Sequence, residues 1–526
     1  MGEAAEQREP DWERFTSATD CYWGLVNRLS SSETAGMSHS DLERFLEKEG
    51  RELLRQLLQG HLDLRAEAKP EGPVVGADGV ERTHHRDGER PLETLVGRVT
   101  VARDGHGARG EKTLFPLDAE LNLPGELYSF GVRQRASEEA AKGSYDDALE
   151  VLKKHSGARI AKRQLEEIVQ RAAQDFDSFY LARRMAWQSQ APASSEVLVL
   201  TFDGKGVVVR HEDLRSGTKA AASRSSKRLE KRLTKGEKRN RKRMSSVAAV
   251  YTIAPFVRGA DAIIGELRRD GEPGPKRPKP EGKRVWASVA KEPAEVIEEA
   301  FLDASSRDPE RKKKWVVLVD GNADQLALVE AAAARHEVDV TIVLDVIHVV
   351  EYLWKAAYVF HAEGSSDAEA WVTERLLWLL CGDAGQVAAA MRRSATKRGL
   401  SRAARKPVDT CARYISNHRA YVRYDAYLAA GLPIATGVIE GACRHVVKDR
   451  MELTGARWSL AGAEAILRLR SMRASGDLDA YWHHHEKMER ARNHEVLYAN
   501  GEVPTLNRSP EPSGRNRKGP HLKVVK

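Results

Sequence analysis

Three short runs of this chain, EVLVLTFD, WVVLVD and VTIVLD, are almost continuously apolar, and each ends in an aspartate: Asp203, Asp320 and Asp345. A strand with one wet face alternates apolar and polar residues, so unbroken apolar runs of this length predict strands covered on both faces. VAAVYTIAPFV and RVWASVA are two further predicted strands, and helical patterns lie at Pro293–Phe301, Ala323–Arg335 and VIHVVEYLWKAAYVF. Three strands followed by strand–helix–strand–helix predict an α/β fold on a mixed sheet with helices on its faces. From Glu363 to about Gly431 there is no strand signal, only helical patterns such as AWVTERLLWLL and GQVAAAMRRSA. That stretch is expected to be an all-helical insertion. Helices resume through VIEGACRHVVKDRMEL and SLAGAEAILRLRSMR.

Upstream, Asp41–Ala68 carries leucines and Phe45 near helical spacing and predicts an amphipathic packing or oligomerisation helix. LETLVGRVTVARDG predicts a strand or hairpin. His84, His85 and His106 lie close by, so a metal site is possible, but without cysteine or closely spaced acidic ligands it is not favoured. SYDDALEVLKKH predicts a helix with Ser144 as N-cap; Ser156-Gly157 supplies a turn, and RIAKRQLEEIVQRAAQDF a second helix opening with Lys162, Arg163 and Gln164. Two short helices joined this way form a helix-turn-helix pattern, which either reads DNA or is a plain helical hairpin.

The 526 residues suffice for two to four domains, and 41 % hydrophobic with 31 % charged residues supports packed cores under a charged surface. No apolar run is long enough to span a membrane, and the acidic, polar start MGEAAEQREP is not expected to be a signal peptide. Four scattered cysteines without a C-x-x-C pair exclude a disulfide scaffold and fit a reducing cytosol. The net charge of +8 is local: Arg215–Arg243 holds thirteen Lys/Arg against two Glu, a charge of +11 that leaves the remainder at −3. Such a segment suits contact with a phosphate backbone; the alternative is a solvated charge run.

Asp203 and Asp320 both precede glycine, in TFDGKG and LVDGNAD. Each alone reads as an ordinary turn-capping aspartate. On neighbouring strands, about 4.8 Å apart, the two carboxylates could share a divalent ion, and a third acid would complete a two-metal site for displacement at phosphorus. Glu440, in the first turn of the helix after PIATG, is the candidate third acid, with Cys443, Arg444 and Lys448 following on its side; otherwise it merely complements the helix dipole. Asp345 and His348 form a D-x-x-H pair suited to metal or phosphate contact, unless His348 is a core histidine, and Glu351 is a rival third acid.

In LFPLDAELNLP, the block from Tyr128 through AAQDFDSFY, TFDGKG, VVLVDGNADQ, LDVIHVVEYLW, GLPIATGVIEGACRHVVKDRMELTGARWS and AEAILRLRSMRASGDLDAYW, the chain resembles bacterial insertion-sequence DDE transposases of the ISKra type. The resemblance spans roughly Val101 to Trp482, and the glutamate segment is its most specific part. One departure is Ala435-Thr436, where relatives tend to have Gly-Ser. It implies a ribonuclease-H-like core whose metal-binding catalytic acids are Asp203 on the first strand, Asp320 on the fourth and Glu440 on a helix after an all-helical insertion, with Asp345 and His348 auxiliary. The expected organisation is an N-terminal helical region (1–85), a strand/hairpin and helix-turn-helix-like DNA-binding region (86–190), the catalytic domain (191–362 and 432–475), the insertion (363–431) and a tail (476–526) that its Pro, Gly and Arg/Lys content after about Asn493 predicts to be largely disordered.

The activity implied is DNA strand cleavage and strand transfer at terminal inverted repeats with two Mg²⁺, for which Mn²⁺ substitutes. Backbone contacts are expected from Lys227, Arg228, Lys231, Arg232, Lys238, Arg239, Arg241, Lys242 and Arg243 of the basic segment, with Arg444 and Lys448; the helix-turn-helix candidate, with Lys162 and Arg163, is expected to recognise the inverted repeat. Double-stranded DNA is the expected partner, with a homodimer or larger synaptic assembly, no membrane, and a cytoplasmic, nucleoid-associated location in a bacterium. The alternatives are a ribonuclease-H-like nuclease without strand transfer and a domesticated, non-catalytic DNA-binding protein.

Overall fold

The amphipathic pattern predicted over Asp41–Ala68 forms one helix, His39–Ala66, whose first turn is capped by Ser38 accepting from the Asp41 amide. Leu58, Leu62 and Ala66 on this helix pack against Leu92, Val99 and Val101. After the two-residue β1 (Lys69–Pro70), the chain forms the predicted hairpin as β2 (His84–Thr94) and β3 (Gly97–Gly107), paired antiparallel along their whole length. These residues belong to one of two units in a computed structural model that describes residues 13–189, 197–224, 241–268, 276–435, 437–453 and 455–507. The first unit comprises Met1–Ala136, Asp146–Lys162 and His483–Lys526, and the second Ser137–Tyr145 and Arg163–Trp482.

The predicted helices on either side of Ser156-Gly157 form as Tyr145–Ser156 and Lys162–Ala172. The unit boundary falls at the start of the latter, so nearly all of each helix belongs to a different unit. The second helix starts within RIAKRQLEEIVQRAAQDF, as expected. It stops at Ala172, and a separate helix, Phe176–Ser189, begins after a turn.

In the second unit the five predicted strands form a single mixed sheet. They are β4 (Val197–Val208), β5 (Lys242–Ile253), β6 (Glu281–Ser288), β7 (Lys314–Val319) and β8 (Val340–Leu344), in spatial order β6-β5-β4-β7-β8. β5 is antiparallel to β4 and β6, while β7 runs parallel to both β4 and β8. β4 and β5 are longer than their apolar runs. Gly204–Val208 pairs with Lys242–Ser246, so the ladder continues past the apolar core and Asp203 lies within its strand instead of ending it.

Both edges of this sheet are occupied, which removes the open backbone that invites edge pairing. At β6, Ser471 and Ser475 of the helix Leu460–Ser475 accept from the Ala287 and Val285 amides, at 3.2 and 2.9 Å. At β8, Tyr424 and Tyr427 donate to the Leu344 and Ile342 carbonyls, at 2.8 and 3.2 Å. Those tyrosines come from the predicted insertion, which is helical throughout: Ser366–Leu380, Ala384–Lys397, Lys406–Asn417 and Tyr424–Ala429. Its apolar faces share one core with Val199, Leu318, Val343 and the helix Val346–Ala357.

The tail was expected to be largely disordered from 476 onward. Instead Leu478–Asn493 is helical, and β9 (Leu506–Asn507) pairs antiparallel with β1. A few contacts order this polar stretch: Tyr498 is buried, Leu506 packs on the Leu62 cluster, and the buried His494 lies 2.8 Å from the Leu123 carbonyl through Nε2. Residues 508–526 lie outside the described residues. Among the described residues no helix is long and apolar enough to cross a membrane.

Candidate active site

Parallel pairing fixes where the aspartates meet. The β4–β7 register ends at Thr201–Leu318, and Asp203 and Asp320 each lie two residues further on. The β7–β8 register ends at Val319–Leu344, so Asp320 and Asp345 each follow their strands by one residue. Three aspartates therefore occupy equivalent positions on three adjacent chains, with neighbours separated by the usual strand spacing of about 4.8 Å. By alternation Asp203 shares the face of Val197 and Val199, the face covered by the insertion and the helix Val346–Ala357.

Each aspartate is held differently. Asp203 Oδ1 accepts from the Gly204 amide at 2.6 Å, and its Oδ2 accepts from the Cys443 thiol at 3.0 Å. Burial pushes that thiol well above its ordinary pKa, and the Asp203 charge pushes the same way; Lys205 opposes them and Glu440 adds to them. The thiol is therefore protonated at neutral pH and acts as a donor. Asp320 Oδ1 accepts from the Asn322 amide at 2.9 Å, and the Asp320 carbonyl accepts from Tyr414 of the insertion at 2.6 Å. Gly321, at φ +85°, completes the turn. A Cβ there would lie 2.9 Å from Leu344 and 3.1 Å from both His418 and Tyr414, so only glycine fits. Asp345 is buried, and its Oδ1 caps the helix Val346–Ala357 by accepting from Ile347 N at 2.8 Å.

Glu440 is exposed on the short helix Gly437–Ala442, which packs against β4 and β5. The same helical rod continues as a π-helical stretch, Cys443–Lys448, also packed on β4, and then as Asp449–Met451. Wide turns of this kind recur at functional sites because they re-aim side chains within a helix. Here the rod carries Glu440 exposed while Cys443 is buried against Asp203. The rival acid, Glu351, is exposed and pairs with Lys355 at 3.8 Å. His348 sits in the first turn after Asp345, half-buried, with a buried Nδ1 that has no hydrogen-bond partner.

The cations stand in different surroundings. Arg444 and Lys448 are exposed on the glutamate rod. Arg243 is committed to the fold: its guanidinium donates to the carbonyls of Val289, Asp213 and Ala290. It is therefore not the free phosphate contact expected of it. Lys242 faces Glu452 at 3.5 Å, Lys162 pairs with Asp146 at 2.7 Å, and the exposed Arg163 pairs with Glu167 at 3.3 Å. Arg241 is half-buried at the start of the β5 arm. Lys227, Arg228, Lys231, Arg232, Lys238 and Arg239 lie outside the described residues.

Sequence reasoning did not anticipate Lys205, Tyr414 or His418. Lys205 carries a signal, since it follows Asp203 by two residues on one strand and so shares its face. Tyr414 and His418 carry none, because only the folded insertion brings them to the Asp320–Gly321 turn.

No protein-family model matches the chain, and no curated protein matches it significantly.

Proposed function

We propose that this chain is a DDE-type transposase that cleaves and joins DNA strands, with a ribonuclease-H-like catalytic domain. The observation that carries the reading is the register of Asp203 with Asp320 together with the packing of the Glu440 helix on β4. The strand order β6-β5-β4-β7-β8 supports it, with β4 antiparallel to its neighbour on one side and parallel on the other. So does an all-helical segment between the second acid and the third.

The donor set is entirely carboxylate oxygen, which suits a hard cation such as Mg²⁺, or Mn²⁺ in its place. When bound by Asp203, Asp320 and Glu440, a pair of such ions supplies an activated water and stabilises the leaving 3′ oxygen. The protein's part is preorganisation. Cys443 and the Gly204 amide fix the Asp203 carboxylate, while the Asn322 amide and Tyr414 fix the Asp320 turn. Arg444 and Lys448, exposed on the glutamate rod, contact backbone phosphates.

The test is cleavage and joining of a labelled duplex carrying the flanking element end, with Mg²⁺, wild type beside Asp320→Asn. Joined products from wild type alone support a transposase. Cleavage without joining reduces the reading to a nuclease, and binding without cleavage by either protein reduces it to a DNA-binding protein.

A further inference from the structure

In the first unit, far from the hairpin turn in sequence, β2 and β3 bring two histidines and an aspartate together. His85 and His106 are register partners, and Asp104 precedes His106 by two residues on the same face of β3. His85 Nδ1 lies 3.0 Å from Asp104 Oδ2, and His106 Nε2 lies 3.7 Å from the same oxygen. The two rings stand edge to face with centroids 4.6 Å apart.

Two polar atoms in this cluster have no hydrogen-bond partner although both are buried: His106 Nε2 and Asp104 Oδ1. His106 is only 4 % exposed. Its backbone is fixed from the far side, where His106 and Leu114 exchange amide–carbonyl hydrogen bonds at 2.7 and 2.8 Å. Leaving the buried His106 Nε2 without a partner costs free energy that a cation shared with the Asp104 carboxylate recovers.

We propose that His85, Asp104 and His106 bind one divalent transition-metal ion of the Zn²⁺ class. Two imidazoles and a carboxylate form a borderline donor set that favours zinc over magnesium or calcium. Ligand bonds of about 2.1 Å in a tetrahedron place the donor atoms about 3.4 Å apart; the two histidine–aspartate separations, 3.0 and 3.7 Å, bracket that spacing, and all three donor atoms lie within 4.8 Å of one another. Lys69 Nζ, 3.1 Å from Asp104 Oδ2, competes with an ion for that oxygen; its side chain is 61 % exposed, so it can withdraw into solvent. His85 is exposed at the outer edge, which leaves the fourth position to water. Asp87 is the register partner of Asp104 and stands on the same strand face as His85, within reach of an outer-shell role. His84, one residue away, points to the other face. The bound ion ties the start of β2 to the end of β3 and so braces the hairpin where it leads into Leu114.

The site is independent of the proposed catalytic carboxylates, and its test is built to stay so. The full chain, without a histidine tag and carrying Asp203→Asn and Asp320→Asn, is stripped with a chelator, loaded with Zn²⁺ alone and desalted. Retained zinc is then measured, with Co²⁺ absorption as a second reading of tetrahedral geometry. One ion per chain is expected, falling to background in His85→Ala and in Asp104→Asn, with a zinc-dependent rise in Tm that both variants lose. His85→Ala changes an exposed side chain and leaves the fold intact. His483–His485 stays unchanged throughout, so zinc bound there adds the same amount to parent and variants, and the expected difference between them remains one ion per chain. No retained zinc, or equal zinc in the parent and both variants, overturns the proposal.

Discussion

Asp203 and Asp320 occupy equivalent positions across the parallel β4–β7 pair, two residues beyond its last register partners. Parallel strands bring sequence-distant residues side by side without any turn to set the register, so the pairing itself positions the acids. The two places are not alike, however. Asp203 is still inside a strand that continues to pair with β5, whereas Asp320 begins the Gly321 turn. One carboxylate is held by a ladder and the other by a loop braced from the insertion.

Glu440 rides on a rod packed against β4, and Glu351 pairs with Lys355 on an exposed helix face. Glu440→Gln is therefore expected to lower metal-dependent cleavage by more than about a hundredfold, beyond the usual cost of losing an outer-shell partner. Glu351→Gln should leave it within a few-fold of wild type. Single-turnover cleavage of a labelled duplex measures both, and the opposite order transfers the third acid to Glu351.

Cys443 donates to Asp203, and under the proposed function it orients that carboxylate without touching the reacting atoms. Cys443→Ala is expected to slow cleavage by about 10–100-fold, the range typical of outer-shell partners, with DNA affinity unchanged. Cys443→Ser, which keeps a donor, should recover most of the loss. Because burial and Asp203 hold the thiol protonated, it should also react slowly with thiol reagents at neutral pH, while the exposed Cys381 reacts first. Site-resolved alkylation followed by mass spectrometry decides this.

Asp345 is in line with the other two aspartates but is used as a helix cap. Asp345→Ala should cost about 1 kcal/mol of stability, and Asp345→Asn only a few tenths, since asparagine caps as well as aspartate. Urea unfolding separates them. A large fall in cleavage by Asp345→Asn at unchanged stability would assign its carboxylate to the reacting centre.

The strand runs and the insertion were legible because burial on both faces leaves an unbroken apolar signature, and its absence over 363–431 is equally plain. The acids were legible because each interrupts such a run or opens a helix after a Pro/Gly break. Other features left no trace. The ordering of the tail rests on single residues such as Tyr498 and His494. The role of Arg243 looked like any cation in a basic run until its three carbonyl partners were in place. Asp104, two residues before His106, was legible beside it; what the sequence did not show is His85, 19 residues from Asp104, which the hairpin register brings alongside both.

Asp303 is fully buried between Arg284 and Arg307, accepting at 2.8 Å from one and 2.9 Å from the other. Burial alone would raise its carboxyl pKa, but Arg307 and Arg284 outweigh it and hold the group below its ordinary value. A depressed folded pKa gives stability that is fully present above the unfolded value of about 3.9 and is lost as pH falls through the folded value. Asp303→Ala strands two buried guanidinium groups and should cost about 3–5 kcal/mol at pH 7. Urea titrations from pH 7 down to pH 3 should show the difference between variant and wild type shrinking only at the acid end.

Arg444 and Lys448 are exposed on the rod that carries Glu440, so under the proposed function DNA held for cleavage would place phosphates near them. Each contact that releases a condensed counterion contributes about 0.9 to the slope of log K against log salt on duplex DNA. Arg444→Ala with Lys448→Ala should therefore flatten that slope by about 2 and weaken binding to all duplexes alike, leaving any sequence preference intact. Fluorescence anisotropy at several salt concentrations, on element-end and unrelated duplexes, measures both quantities. An unchanged slope would remove these two residues from the DNA path. A loss confined to the element end would instead make them readers of sequence, which their place on the glutamate rod does not predict.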